Sequence, residues 1–293
     1  MDFSVLMSVY KNEKVAFFKE AMNSVIDQTM PPEEIVLVRD GVVYQELQEA
    51  IDEYLSKYPS LFTYIPLEEN GGLGNALRIG LAKCRNELVA RMDTDDVCVC
   101  DRFEKQVACF EKNPRLDMVG GNIAEFTESI EQIIDYRCVP QTHDEIIERL
   151  KSRSPFNHQT VMFKKQSVLN VGNYETFYLF EDWYLWIRMF LGECIFENVQ
   201  DVLVNVRITG MANRRGGMKY YKSCQNLLKY MLRNKVINRA TYMKSNAVRF
   251  CGYVLFPNKL REWAYKKFLR NTDNTNSSVN EKTSQGVEIN AGK

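Results

Sequence analysis

The chain has 293 residues, 45% of them hydrophobic, enough for one large domain or for one domain with an appendage. Its first residues lack a basic segment and a cleavage site, and no apolar run approaches the roughly 18 residues that span a bilayer, so a secreted or membrane-spanning protein is not expected. Eight cysteines without a C-x-x-C pair, and only two histidines, argue against a zinc site or a disulfide framework and favour reduced thiols in a cytoplasm.

Charge is distributed unevenly along the chain. The formal net charge is zero, yet residues 202–261 contain thirteen Lys and Arg and no Asp or Glu. This segregation predicts an anionic partner for the later region, either phosphate or a membrane surface; the alternative is solvated helix faces that pair with the acidic half. Nucleic acid is not an expected partner.

In the first hundred residues, short apolar runs alternate with segments of helical period. This alternation predicts an α/β fold with a mostly parallel central sheet flanked by helices. Ligands of such sheets bind beyond the carboxyl ends of the strands, so a site is expected there. The predicted strands are 3–9, 34–39, 62–67 and 87–92, and the predicted helices are 14–28, 44–57 and 73–84.

The remainder of the chain has a mixed pattern. From residue 213 onward it is helical and basic, and residues 271–293 are polar and nearly free of aromatics, which predicts a disordered tail. In residues 101–212, helices are predicted at 101–112 and 181–191, and strands are predicted at 117–126, 132–139, 159–164 and 199–208.

Three carboxylates, Asp93, Asp95 and Asp96, follow the fourth predicted strand in the sequence "MDTDD". They repel one another unless a cation lies among them, and oxygen ligands of this kind suit Mg²⁺ or Mn²⁺ shared with a diphosphate. A helix cap would explain only one of the three. A phosphatase pattern, Asp-x-Asp-x-Thr/Val with Asp93 as nucleophile, also matches, although that pattern normally ends the first strand of its sheet.

The other strand ends carry "MSVYKNE", "VRDG" and "ENGGLGNALRIGL", and "FEDWYLWIRM" follows downstream. With "MDTDD", this order of motifs resembles the family 2 inverting glycosyltransferases, which have the GT-A fold, and looks closest to bacterial members that extend lipid-linked surface polysaccharide. The resemblance covers roughly residues 2–215. It implies a catalytic domain at 1–212, with a nucleotide-sugar-binding half at 1–100 and an acceptor half at 101–212, followed by the basic extension at 213–270.

The resemblance also implies roles for the matching residues. Asp182 corresponds to the general base that deprotonates the acceptor hydroxyl, and Asp95 to the ligand of a Mn²⁺ or Mg²⁺ on the diphosphate. Asp40 corresponds to the carboxylate that binds the nucleotide base, which favours UDP. Donor contacts are expected from Ser8, Val9, Tyr10, Glu13, Asp40, Asn70, Arg78 and Asp93, and acceptor or phosphate contacts from His158, Glu181, Arg214 and Arg215.

Some of these residues have alternative interpretations. Arg78 stands one place later than the family's arginine, and Thr209 stands where members often have a histidine, so Arg214 and Arg215 are expected to bind phosphate in its place. Glu181 and Asp182 could be first-turn acids favoured by the helix dipole. For His158 the first interpretation is a structural histidine, and an acceptor or phosphate contact is the alternative.

The reaction that the resemblance implies is an in-line attack of an acceptor hydroxyl on the anomeric carbon, with inversion. A third hypothesis is a sugar-nucleotide-binding protein without catalysis, which would have no use for a base. Residues 250–270 read as a cationic, aromatic, amphipathic segment, which predicts either contact with an anionic membrane or packing against the domain. The protein is expected in the cytoplasm or on the inner face of the cell membrane.

Overall fold

The computed structural model describes residues 1–208 and 216–255, and in them the chain forms a nine-stranded mixed sheet flanked by helices. The strands are β1 (Phe3–Val9), β2 (Glu34–Arg39), β3 (Phe62–Pro66), β4 (Leu88–Asp93), β5 (Val97–Cys98), β6 (Met118–Phe126), β7 (Ile133–Arg137), β8 (Met162–Lys164) and β9 (Phe196–Arg207). The helices are α1 (Val15–Ile26), α2 (Gln45–Lys57), α3 (Leu73–Lys83), α4 (Arg102–Lys112), α5 (His143–Leu150), α6 (Lys165–Asn170), α7 (Glu181–Leu191), α8 (Gly217–Arg233) and α9 (Arg239–Phe250).

The strand order is β3-β2-β1-β4-β8-β6-β9-β5, with β7 paired to β6. Strands β1 to β4 are mutually parallel, as the alternation of strands and helices predicts. Strand β8 then joins antiparallel to β4, and β6 and β9 lie parallel to each other farther along the sheet. Strands from both predicted halves of the catalytic domain therefore share one sheet.

Both faces of the parallel half are covered. Alternate residues of β1 point to opposite faces, because side chains alternate along a strand. Val5 and Met7 belong to a core with α1, α2 and α4, whereas Leu6 belongs to a core with α3 and α7. Helix α3 approaches the sheet closely at Gly80, where an added Cβ would lie 2.4 Å from Leu6 Cδ1. This double burial explains why the first strands are continuous apolar runs.

The predicted elements of the first half are confirmed to within two residues at either end. Helices α5 and α6 and the short strand β5 are absent from the sequence-based prediction. Strand β5 has only two residues, too few to show the alternation of a strand. The sequence of α5, in contrast, contains a signal for the start of a helix. Thr142 and Glu145 form a capping box in which each side chain satisfies the backbone of the other, a pattern that marks a helix start.

The basic extension is helical where the structure describes it. Helix α8 packs on the domain, because Tyr220, Cys224 and Leu227 are buried in the core shared with α3 and α7. A π-helical turn, Cys251–Leu255, follows α9. The predictions for Arg214, Arg215 and most of 250–270 lie outside the described residues, as does the predicted tail at 271–293. Across 1–208 and 216–255, every helix is too short or too polar to cross a bilayer.

Candidate active site

The carboxyl ends of β1, β2 and β4 meet at one edge of the sheet. Ser8 lies opposite Asp93 in the β1–β4 register, and the Thr94 hydroxyl donates to the Ser8 carbonyl at 3.3 Å. The Asp40 amide donates to the Val9 carbonyl at 2.8 Å. The three loops that were expected to contact a nucleotide are therefore adjacent, as the rule for parallel sheets predicts.

Asp40 organises the turn that leads into α3. Its two carboxylate oxygens accept hydrogen bonds from the amides of Gly71 and Gly72 at 2.8 and 3.0 Å, and Asn70 Nδ2 donates to its carbonyl at 3.0 Å. Gly41 has a φ of 85°, and a Cβ there would lie 2.8 Å from the Asn70 nitrogen. Only glycine fits such a conformation and approach, so Asp40 and Asn70 are held together by the backbone.

The three aspartates at the end of β4 form a compact group. One carboxylate oxygen from each of Asp93, Asp95 and Asp96 lies within 4.8 Å of the other two. Asp96 is buried, whereas Asp93 and Asp95 are half-buried. Burial raises the pKa of Asp95 to about 7, and the charges of Asp93 and Glu13 add to that rise. Burial, followed by Asp93 and Asp95, also raises the pKa of Asp96.

Such a cluster is electrostatically incomplete. Neighbouring negative charges disfavour ionisation of Asp95 and Asp96, and a cation among them reverses that effect. Three carboxylates on one turn offer the hard oxygen ligands that Mg²⁺ and Mn²⁺ prefer. The residues present therefore fit a divalent ion, with Asp95 as a ligand and its two neighbours beside it.

Arg91 holds Asp93 in place from inside the sheet. Its guanidinium donates to both oxygens of Asp93, at 2.5 and 2.7 Å, and its side chain is almost fully buried. Residues two apart on a strand share a face, so this pair is built into β4. The planar fork of arginine matches a carboxylate with two parallel hydrogen bonds, which fixes the orientation of Asp93.

Arg207, at the end of β9, secures the other two aspartates. Its amide donates to Asp96 Oδ1 at 2.8 Å, and its Nε donates to the Asp95 carbonyl at 3.2 Å. The guanidinium lies 3.9 Å from the centre of the Phe17 ring and 4.4 Å from that of Phe126, and it also pairs with Glu20. The aspartate loop is thus tied to a strand more than a hundred residues away.

Glu13 joins the first loop to the aspartates. Its carboxylate is buried and accepts from the Thr94 hydroxyl at 2.7 Å and from the Lys14 amide at 2.9 Å. Burial raises the pKa of Glu13, and Asp93 contributes to the rise. Its predicted donor contact stays a prediction, since both described partners belong to the protein.

Helix α7 presents Glu181 and Asp182 in its first turn. The Ser154 hydroxyl donates to Asp182 Oδ2 at 3.4 Å. Burial raises the pKa of Glu181 to about 7; Asp182 adds to the rise, Arg91 opposes it and Asp93 adds a smaller increment. Asp182 and Asp93 therefore lie within electrostatic range of Glu181.

The start of α3 brings these elements together. An added Cβ on Gly74 would lie 3.4 Å from Glu181 Cβ and 3.2 Å from the Glu175 carbonyl, so the first turns of α3 and α7 are in contact. The turn held by Asp40 leads directly into that first turn of α3. Nucleotide-side and acceptor-side candidates therefore belong to one connected region of the fold.

The remaining candidates differ in position. His158 Nε2 lies 3.1 Å from the Tyr174 hydroxyl, and its ring packs against Trp186. Burial, with help from Arg91, holds the pKa of His158 well below its usual range, which favours a neutral structural histidine. Arg78 is exposed in the second turn of α3 and donates to Asn75 at 3.0 Å. Tyr10 is half-buried in the first loop.

Arg91 and Arg207 are the site residues that sequence reasoning missed. For Arg91 a signal was present: a charged residue inside the buried run "ELVARM", two places before Asp93, must share the face of that aspartate. For Arg207 no local pattern exists, because its contacts depend on where β9 lies in the sheet.

Comparisons with known proteins decide between the hypotheses for this site. A family model described as Glycosyl transferase family 2 matches residues 4–172, more than half of the chain. The chain belongs to glycosyl transferase family 2. Family membership favours sugar transfer over the phosphatase reaction at Asp93, and the three aspartates expected at this strand end are grouped in the structure.

Relatives of this glycosyltransferase match it over most of their length. The amylovoran biosynthesis glycosyltransferase AmsE of Erwinia amylovora is 36% identical over 271 residues, covering 90% of this chain and 98% of AmsE. An Escherichia coli enzyme, named UDP-Gal:alpha-D-GlcNAc-diphosphoundecaprenol beta-1,3-galactosyltransferase, is 35% identical over 269 residues, covering 92% and 96% of the two chains.

Solved structures confirm the fold. Residues 1–349 of TarS from S. aureus, in complex with UDP-GlcNAc, superpose with a TM-score of 0.63 at 19% identity, over 93% of this chain and 78% of that one. The GT-A fold predicted from the sequence is therefore correct. At this identity the likeness establishes the fold alone.

Replacing Arg91 with Lys is expected to weaken donor binding. Lysine keeps the charge but cannot donate two parallel hydrogen bonds to Asp93, so the carboxylate loses its fixed orientation. Loss of such a supporting partner typically costs about 10- to 100-fold in affinity or activity. Steady-state kinetics should show a rise in the donor KM that exceeds the fall in kcat.

Arg85→Lys provides a matched control, because Arg85 is an exposed arginine that pairs with Glu34 away from the aspartates. It should leave the donor KM unchanged. A folded Arg91→Lys protein with the wild-type donor KM would contradict the role assigned to Arg91.

Proposed function

We propose that this glycosyltransferase moves one sugar, with inversion, from a UDP-sugar to a lipid-diphosphate-linked glycan during assembly of a bacterial surface polysaccharide. The observation that carries the proposal is the contact between the first turns of α3 and α7, which joins the turn held by Asp40 to the acidic start of α7. A donor site and a base on one cleft are what such a transfer requires.

The comparisons support the choice of substrates. The E. coli relative is named for transfer from UDP-Gal to a diphosphoundecaprenol-linked sugar, and TarS has been crystallised with UDP-GlcNAc. AmsE is named for the biosynthesis of a polysaccharide, amylovoran. A cytoplasmic enzyme on the inner face of the membrane, with contact through residues 250–270, would meet such an acceptor there.

In the proposed mechanism the chain's own residues bind the donor and move one proton. Asp40 and the turn that it holds would receive the nucleotide base, with Ser8, Val9 and Tyr10 beside it. Asp93, oriented by Arg91, would contact the donor's ribose or sugar. Asp182 would take the proton of the acceptor hydroxyl as that oxygen attacks the anomeric carbon from the side opposite the diphosphate.

A divalent ion held by Asp95, when bound, would neutralise the charge that grows on the leaving diphosphate, a contribution of several kcal/mol. Asp96 and Arg207 position the loop that carries Asp95. Glu181, whose pKa lies at about 7, stands next to the proposed base and would contact the acceptor.

A thermal-shift screen of nucleoside diphosphates tests the donor assignment. With Mn²⁺ present, UDP at 100 times its dissociation constant should stabilise the protein by about 2.7 kcal/mol, and GDP should do so less. Stabilisation by GDP alone would contradict the UDP assignment. UDP binding without transfer to any polyprenyl-diphosphate-linked sugar would favour the non-catalytic hypothesis.

A further inference from the structure

Helix α9 has one face packed on the domain and one face exposed. On the packed side, Asn246 Oδ1 accepts from the Tyr221 hydroxyl at 3.0 Å, and the Phe250 ring lies 5.2 Å from the Tyr221 ring. Arg249 donates to the Ser152 carbonyl, and Tyr242 packs against the core. These contacts fix which side of α9 points away from the protein.

The outward side is mainly apolar. Met243 is 70% exposed, Val248 63% and Leu255 60%. We call this surface the α9 face; its exposed residues recur with helical spacing and are Ala240, Met243, Lys244, Ala247, Val248, Cys251 and Leu255.

The segment that carries the α9 face is positively charged. Residues 216–255, which include α8 and α9, contain eight Lys and Arg and no Asp or Glu. Lys244 lies on the face itself, and Arg239 begins the helix. An exposed apolar stripe on a segment whose charged residues are all cationic is complementary to an interface that offers both acyl chains and negative head groups. A water-soluble partner would need an acidic rim around an apolar centre to match it.

We propose that the α9 face binds the surface of a membrane that contains anionic lipids, with α9 lying in the plane of the interface. Met243, Val248 and Leu255 would enter the boundary between head groups and acyl chains. The basic residues of α8 and α9 would attract the negative head groups, each contributing as long as it lies near the surface.

This orientation has a consequence for the site. Arg249 contacts Ser152, and Ser154, two residues later, donates to Asp182. A groove of about 840 Å³ runs beside Ser152, between α5 and the turn that joins α8 to α9. Its lining includes both basic and acidic residues: Arg149, Lys151, Lys235, Glu145 and Glu148. A membrane-bound α9 would therefore place the bilayer within one helix diameter, roughly 10 Å, of the loop that supports the base. The purpose of the contact rests on the proposed function, but the contact itself can be measured without any substrate.

Co-sedimentation of the full chain with lipid vesicles tests the proposal. Vesicles that contain phosphatidylglycerol should bind the protein, vesicles of phosphatidylcholine should bind it far less, and added salt should weaken binding because it screens the head groups. The double variant Met243→Asp/Val248→Asp should bind the anionic vesicles at least about tenfold more weakly, because two apolar anchors are replaced by negative charges that the lipid repels.

The matched control is Ile130→Asp/Ile134→Asp, which places two aspartates at exposed apolar positions elsewhere, 41% and 54% exposed. It should bind vesicles as the wild type does. Equal vesicle binding by the α9 double variant and the wild type would overturn the proposal. So would a wild-type dimer that the α9 double variant dissociates, because the face would then contact a second copy of the chain.

The thermal-shift response to UDP and Mn²⁺, measured on the same preparations without vesicles, keeps the two proposals separate. The α9 double variant should retain the wild-type response to UDP. Vesicle binding without a UDP response would leave the membrane contact standing and remove the proposed donor; the reverse result would remove the membrane contact alone.

Discussion

Replacing Asp182 with Asn is expected to abolish sugar transfer while UDP binding persists. Asparagine has the same shape but does not take up a proton, so the acceptor hydroxyl loses its base. General bases typically contribute about 10²- to 10⁴-fold to a rate, and kcat for transfer should fall by about that factor. The nucleotide loops lie on β1, β2 and β4, and the thermal-shift response to UDP should therefore remain.

A matched control separates catalysis from helix stabilisation. Asp144 is an exposed acid in the first turn of α5, just as Asp182 is an acid in the first turn of α7. If Asp182 served only the helix dipole, Asp144→Asn and Asp182→Asn would lower Tm alike and neither would affect transfer. Near-normal transfer by Asp182→Asn would show that the base is another group.

The second large effect is expected from Asp95→Asn, which removes the proposed ligand of the divalent ion. Metal-dependent UDP binding should weaken by at least about a hundredfold, because the ion contributes several kcal/mol and each 1.4 kcal/mol is a factor of ten. Calorimetric titration of UDP with and without Mn²⁺ measures this. Asp101→Asn, at a half-buried acid that pairs with Lys105 just beyond the loop, is the control and should bind UDP normally.

The same variant should be more stable than the wild type when metal is absent. The pKa of Asp95 is raised from its usual 3.8 to about 7, so the folded protein holds a proton there more tightly than the unfolded chain does. Wild-type stability from this group is therefore lost as pH rises from about 4 to about 7. Asp95→Asn has no such loss. Its free energy of unfolding should therefore exceed that of the wild type above pH 7 and equal it near pH 4.

UDP affinity should fall in Asp95→Asn while its Tm without metal rises, so misfolding would not explain weak UDP binding. A destabilised variant would lose binding and Tm together, whereas the expected variant loses binding and gains Tm without metal. A variant that keeps Mn²⁺-dependent binding at wild-type strength would contradict the role of Asp95.

Much of the architecture could be predicted from local pattern. The apolar runs at Phe3–Val9 and Glu34–Arg39 match the observed strands to the residue, because both faces of these strands are buried and their composition shows it. The acids at the end of β4 could also be located from the sequence, because the strand ends at one edge of a parallel sheet form its binding crevice. Strand β5, at two residues, has no period to detect.

The sequence by itself determined most of the elements, the cluster of acids and the family, since these depend on residues close together in the chain or on the order of motifs along it. Only the tertiary structure decided which partners hold the acids: Arg207 comes to Asp95 and Asp96 from the end of β9, and Gly74 of α3 meets Glu181 of α7. Such contacts follow from the order and register of strands in the sheet. That order is set by long-range burial summed over the whole core, and no short segment of the chain records it.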